Sequence, residues 1–156
     1  MKKIIIELVD MDWWIYKEGV YMATGFKGYL IKTPVGIFPN EYIMHDTYKQ
    51  TPNQRADLDS KRNTQGKLIR HELPYVTTTI KFSTIPMKLS KKIEFQKYFP
   101  SRTRITLEYW NEEENKYKTA DFYIPDIEYS MYGFLDGEPF YLSTPIEIIG
   151  YGEKIG

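Results

Sequence analysis

The sequence contains no cysteine and only two histidines. A disulfide framework, a thiol nucleophile and every thiolate metal site are thereby excluded, and His45 and His71 alone cannot build a multi-histidine metal centre. Net charge is lacking as well. Lys plus Arg and Asp plus Glu stand at 21 each, so no overall field draws the chain to nucleic acid or to an acidic substrate. Long apolar runs are also missing: in the opening MKKIIIELVDMDWWIY, the run Ile4 to Ile6 is cut short by Glu7, Asp10 and Asp12. That start is too short and too acidic for a signal peptide or a membrane span, and the expectation is a soluble protein made in a cytoplasm and not exported by the general route.

What is present points to β structure. At 156 residues the chain is sized for a single domain, 1–156, around one core. Fourteen Tyr, eight Phe and three Trp, with few alanines, favour strands. Lys3 to Val9 is β-branched and reads as a strand, followed by the aromatics Trp13, Trp14 and Tyr16. Glycines and prolines from Gly19 to Pro39 then punctuate short β segments such as GYLIK. In VTTTIKFST, Val76, Thr78, Ile80 and Phe82 alternate with Thr77, Thr79, Lys81 and Ser83, the pattern of a half-buried strand. LSKKIEFQKYFP changes period and predicts a helix of about two turns, with Ser90 as its cap, Leu89, Ile93 and Tyr98 or Lys97 on one side, and Pro100 closing it.

The stretch ITLEYWNEEENKYKTADFYI reads as strand, acidic turn and strand. Ile105, Leu107 and Tyr109 share one face, Ala120, Phe122 and Ile124 share a face of the return strand, and Asn111 to Asn115 form a charged, water-facing bend. Asp136 and Gly137 make a further hairpin turn. The sum is seven to nine strands and one short helix: a mainly β (α+β) fold, a compact β-sandwich or barrel-like sheet domain. Residues 47–73 differ, being polar, mixed in charge and poor in large apolar side chains, with a terminal turn at Gln65 and Gly66. A surface loop or long hairpin competes here with an arm ordered only against a neighbouring subunit.

No constellation of catalytic residues emerges. The chain has no glycine-rich phosphate loop, HExxH, GxSxG or EF-hand pattern. His45 and Asp46 are adjacent and point apart in a strand. The carboxylate pairs Asp57 with Asp59, and Glu108 with Asp121, are surface coincidences expected among so many acids. Glu112 to Glu114 offer oxygen ligands without the spacing or glycine turn that wraps them round a calcium ion. The reading is therefore a non-enzymatic protein with no cofactor, metal or small-molecule substrate. Nucleic acid is disfavoured too, because Asp57, Asp59 and Glu72 dilute the cations at Arg55, Lys61, Arg62, Lys67 and Arg70.

In order, the segments YKQTPNQRADLDSKRNTQGKLIRHELP, TTIKF, KKIEFQKYFP and ITLEYWNEEENKYKTADFYIPDI resemble a family of small structural proteins of prophages and tailed phages of Gram-positive hosts, generally labelled tail, tail-completion or baseplate proteins. The likeness spans about Thr47 to Asp126, with a looser continuation, whereas the segment through Ile43 departs from it. The resemblance implies a virion subunit assembled in the host cytoplasm, acting by self-association, as in a ring, and by contact with other tail proteins, with no catalytic residues carried over. Trp13, Trp14, Tyr48, Arg55, Leu58, Arg62, Leu68 and Trp110 are the candidate assembly contacts. A head-completion or connector protein of the same virion is the nearest alternative. A carbohydrate-binding module, which requires an exposed tryptophan in a polar groove, is the alternative of another class.

Overall fold

The alternation in VTTTIKFST sets the frame: Val76, Thr78, Ile80 and Phe82 are buried, at 6%, 1%, 0% and 2% exposure, while Thr77, Thr79 and Lys81 face outward. The structure, a computed structural model, describes residues 24–154 and, within them, all side chains but those of 57–60 and 71–72. The expected strand Lys3 to Val9 and the tryptophans Trp13 and Trp14 lie outside the described residues. The order of elements is β1 (Ile31–Thr33), β2 (Gly36–Ile37), a 3-10 turn (Asn40–Tyr42), β3 (Lys49–Arg62), β4 (Leu68–Ser83), β5 (Met87–Lys88), α1 (Leu89–Lys97), β6 (Ile105–Asn111), β7 (Lys116–Tyr123), β8 (Met131–Leu135), β9 (Glu138–Tyr141), β10 (Pro145–Gly150) and β11 (Glu153–Lys154). The fold is mainly β with one short helix, as the sequence predicts. The described residues hold more strands than expected because several are only two or three residues long.

The strands form two antiparallel sheets. The larger runs β3-β4-β10-β7-β6-β1-β2, with β11 beside β10 along the same edge of β4, and the smaller runs β5-β9-β8. β10 couples the two halves of the large sheet. Ile146 and Ile148 pair with Phe82 and Ile80 of β4, and Ile149 and Gly150 then pair with Tyr123 and Phe122 of β7. Gly150 makes this crossing possible, since a Cβ there would sit 3.1 Å from the Thr78 carbonyl oxygen. The core lies inside the curl: Ile31, Phe38, Ile80, Leu107, Tyr109, Phe122 and Ile148 are all fully enclosed. Burial of each such aliphatic or aromatic side chain stabilises the fold by about 1.5–3 kcal/mol against the entropy of ordering the chain.

The helix corrects the sequence reading in two respects. Ser90 does not cap it: Lys88 holds the cap position without a side-chain bond, and the Ser90 N–H is satisfied by Glu138 Oε1 of β9 at 3.0 Å. Its buried residue is Phe95, while Ile93 is 44% exposed. Phe95, Tyr98 and Phe99 gather on Phe38, whose ring centroid lies 5.2–5.7 Å from theirs. The aromatic set, more than the Leu89/Ile93 stripe, docks α1 because edge-to-face ring packing places three bulky side chains on one buried ring.

Candidate functional site

The hairpin β3–β4 outruns the sheet that supports it. β11 reaches β4 only at Tyr75 and Val76, so among the described residues the hairpin continues beyond Arg55 and Tyr75 as a ribbon of two strands, paired from Asp57↔Glu72 to Arg62↔Leu68. Register shifts fall between Thr51 and Gln54, Arg55 and Asp57, and Asp57 and Asp59. The first two coincide with Pro52 and, on the facing strand, Pro74, neither of which has an N–H to give to the ladder. The tip closes at the expected place: Gly66 takes φ 87°, its N–H donates to the Asn63 carbonyl at 2.9 Å, and Asn63 Oδ1 accepts the N–H groups of Gln65 and Lys67. Leu68, Ile69, Leu73 and Tyr75 are 38–53% exposed along this arm. An isolated two-stranded ribbon is at best marginally stable in water, and these apolar side chains are surface it has not yet buried.

The expected arm of 47–73 is thus narrower than the sequence reading made it. Lys49, Gln50 and Thr51 pair with β4 alongside the core, and the free ribbon begins only after Arg55. Its base carries a seam. β3 returns towards the edge of β6 shared with β1, where Trp110 N–H donates to Leu30. Gln50 bridges the gap with its carboxamide: Nε2 donates to the Trp110 carbonyl and Oε1 accepts the Glu112 N–H, both at 2.7 Å. One side chain here substitutes for a rung of backbone ladder and ties β3 to the end of β6.

Beside it lies a polar cluster. Asn53, at φ 50°, donates its backbone N–H to Thr78 Oγ1 and its Nδ2 to Glu113 and Glu114. Asn111, with no exposed surface, donates to Asn53 Oδ1 at 3.3 Å, and its own Oδ1 accepts the N–H groups of Glu113 and Glu114 at 2.9 Å each. Tyr109 donates to Glu153 at 2.7 Å, and Lys118 lies 2.7 Å from Glu114 and 3.3 Å from Glu153. The Lys118 hydrogen bond, helped by Asn53 and Lys116, holds the Glu114 carboxyl below the ordinary carboxylate range. Burial, with Glu153 adding to it, raises the Tyr109 phenol. Burial works against the Lys118 charge, but Glu114 and Glu153 outweigh it and raise that pKa.

The acidic bend is exposed as expected at Glu112 to Asn115, but Asn111, expected to face water with them, is fully buried because its amide bonds inward to Asn53 and holds the turn, and the bend does more than face water. Two of its carboxylates fasten the β6–β7 turn to the bulge of β3. Glu108 and Asp121, the carboxylate pair considered from the sequence, are each engaged elsewhere: Tyr29 OH donates to Glu108 at 2.7 Å, and Arg104 and Thr106 hold Asp121.

The small sheet presents a second apolar surface. β8 is its edge strand, and Met131, Tyr132, Phe134 and Leu135 are 48%, 75%, 74% and 47% exposed. The turn into β9 is the expected one, with Asp136 and Gly137 both at positive φ, 55° and 81°, as a two-residue hairpin turn requires. Sequence reasoning named strands here and missed the exposure. MYGFL carries no polar alternation that would have separated an edge strand from a core strand.

Of the named contact residues, Arg62 and Leu68 stand at the arm tip, Arg62 NH1 donating to the Gly66 carbonyl at 2.8 Å. Leu58 belongs to the arm by its place in β3, though its side chain is outside the described set. Arg55 lies at the arm's base, 4.0 Å from Glu113. Tyr48 packs against the core, where burial raises its phenol pKa, instead of standing on an assembly surface. Trp110 also differs from the expectation: at 8% exposure it is enclosed by Phe26 and Tyr117, with ring centroids 5.2 and 5.0 Å away. Its contact surface is already used inside its own chain. Asn53 and Asn111 were not singled out as site residues, although Pro52-Asn53 within a strand and an asparagine opening a turn are both signals of irregular backbone.

Among the described residues no helix is long and apolar enough to cross a membrane. No curated protein and no solved structure matches the chain. Residues 22–151, which take in the arm, the seam and both sheets up to the end of β10, match the model described as "Family of unknown function (DUF6711)", and the chain belongs to that family.

Proposed function

We propose that this protein is a non-enzymatic building block of a phage or prophage tail or baseplate, joined to copies of itself and to other tail proteins through the β3–β4 arm. The observation that carries the reading is the ribbon beyond Arg55 and Tyr75, which among the described residues has no third strand beside it and keeps Leu68, Ile69 and Leu73 exposed. Such a ribbon gains stability when a neighbouring subunit supplies the missing strand or apolar face. The packed large sheet is the part that holds the arm in place, and the resemblance of the segments from Thr47 to Asp126 supplies the setting, a virion tail assembled in the host cytoplasm.

The test replaces residues 56–74 by a two-residue Asn-Gly turn. Light scattering of the purified chain should find the intact protein as a multi-subunit assembly and the shortened one as a folded monomer. Electron microscopy and mass spectrometry of tailed particles should find the intact chain incorporated and the shortened chain missing. Equal mass and equal incorporation of the two forms would count against the proposal.

A further inference from the structure

We propose that the β6–β7 turn is a latch: its Glu113 and Glu114 carboxylates grip Asn53 and so fix the direction in which the β3–β4 arm leaves the large sheet. Both strands lose regular pairing at the root of the arm. Thr51 pairs with Thr79 and Gln54 with Thr77, so Pro52 and Asn53 stand outside the ladder opposite Thr78, and Asn53 takes φ 50°. Further out, Arg55 pairs with Val76 and Asp57 with Glu72, which sets Ala56 alone against Leu73, Pro74 and Tyr75. Irregular backbone of this kind is where a hinge absorbs a change of direction.

Side chains of the turn remove that freedom. Asn53 is 5% exposed, and its Nδ2 donates to Glu113 Oε1 and, at 3.1 Å, to Glu114 Oε2. Arg55 NH1 lies 4.0 Å from Glu113 Oε2, a half-exposed pair that adds little by itself. The facing strand is tied into the same network. Val76 of β4 pairs with Glu153 of β11, Glu153 accepts the Tyr109 hydroxyl at 2.7 Å and lies 3.3 Å from Lys118, and Lys118 lies 2.7 Å from Glu114. Glu114 is therefore linked to both strands of the arm where they leave the sheet, to β3 through Asn53 and to β4 through Lys118 and Glu153. Glu112, in the same turn, gives its backbone N–H to Gln50 instead. The latch acts on the arm whatever the arm touches. Where the arm joins subunits, as proposed above, an arm already held in one direction loses less freedom on docking, so the turn sets affinity as well as direction.

The chain's lack of cysteine allows a direct test. Gln65→Cys at the arm tip and Lys32→Cys on β1 carry spin labels, and double electron–electron resonance measures the distance between them in single full-length chains isolated by size exclusion. The otherwise intact sequence should give one narrow distance distribution. Glu113→Ala with Glu114→Ala should widen it about two-fold or more, because the buried Asn53 amide loses both acceptors and the root populates other directions. Asn53→Asp, which keeps the side chain's shape but sets a third carboxylate against Glu113 and Glu114, should widen it as well. Glu112→Ala removes the same charge from the same turn and should leave it unchanged. A distribution that stays narrow in the double variant and in Asn53→Asp overturns the latch, as does equal widening by Glu112→Ala or a broad distribution in the intact sequence. The readout is a distance within one copy, so a chain that proves monomeric with and without its arm strikes the assembly reading and leaves the latch standing.

Discussion

Asn111 Nδ2 donates to Asn53 Oδ1 at 3.3 Å, joining the end of β6 to the bulge of β3 at a place where no strand pairing links the two among the described residues. The contact places a buried amide under the acidic turn and ties the turn to β3. Asn53→Ala removes the acceptor for Asn111 and the donor for Glu113 and Glu114, and should cost about 1–3 kcal/mol. Asn53→Gly should lose the same side-chain bonds but relieve the backbone at φ 50°. Urea unfolding checks this: both midpoints should fall, the glycine variant's less, with the slope unchanged in each.

The same cluster sets a pH dependence. Glu114 in the folded chain sits below its ordinary 4.5, chiefly through the Lys118 hydrogen bond, and Asp121 sits below its ordinary 3.8, through Thr106 first and Arg104 second. A carboxyl with a depressed folded pKa binds fewer protons folded than unfolded. Its contribution is complete above the ordinary value and is lost as pH falls through the folded one. The urea midpoint of the intact protein should therefore decline through the acid range, and Glu114→Gln should lower it near neutrality while flattening that decline. Two parallel acid limbs for the intact protein and the variant would remove Glu114 from the account.

Alkali acts on a different pair. Burial first, and the bond to Glu108 second, push the Tyr29 phenol from 10.0 up to about 12. Here the neutral form is favoured by folding, so this stability is present below pH 10 and lost as pH rises from there through about 12. Spectrophotometric titration at the phenolate band should find as many tyrosines ionising near the ordinary pH in the intact protein as in Tyr29→Phe, with the intact protein gaining one more as pH approaches about 12.

How far the fold was legible follows from where side-chain alternation survives. VTTTIKFST and ITLEYW announce their buried faces because one face meets the core and the other meets water, and the turn residues Asp136 and Gly137 fix a hairpin by backbone sterics alone. The seam was not legible in this way. Gln50, Asn53 and Asn111 act across 58 to 62 positions of sequence, as in Gln50 with Glu112 and Asn53 with Asn111, and amides in polar stretches read as ordinary surface. Trp110 misled for a related reason: strand alternation places it outward, but residues 26–29 and Tyr117 cover that outer face.

Phe38 is the test of how the helix is held. Its ring lies within 5.9 Å, centroid to centroid, of Tyr42, Phe82, Phe95, Tyr98 and Phe99, joining the 3-10 turn, β4 and α1. Phe38→Ala leaves a cavity among these rings and should cost about 3–5 kcal/mol, whereas Ile93→Ala on the exposed helix face should stay within about 0.5 kcal/mol. Reversed sizes would return the docking role to the Leu89/Ile93 stripe.

The helix start separates two assignments of its cap. If Ser90 capped α1 through its hydroxyl, Ser90→Ala would cost about 0.5–2 kcal/mol. In the structure the Ser90 backbone N–H is what is satisfied, by Glu138 Oε1 at 3.0 Å, and the serine hydroxyl is not the capping atom. Ser90→Ala should therefore be nearly silent, Glu138→Ala should cost about 1 kcal/mol, and Glu138→Gln should lie between them, keeping the acceptor while losing the negative charge that favours a helix N-terminus. Because Glu138 belongs to β9, next to β8, the Glu138→Ala variant also loosens α1 from the small sheet. Amide exchange of residues 89–92 should then quicken with that variant and stay unchanged with Ser90→Ala.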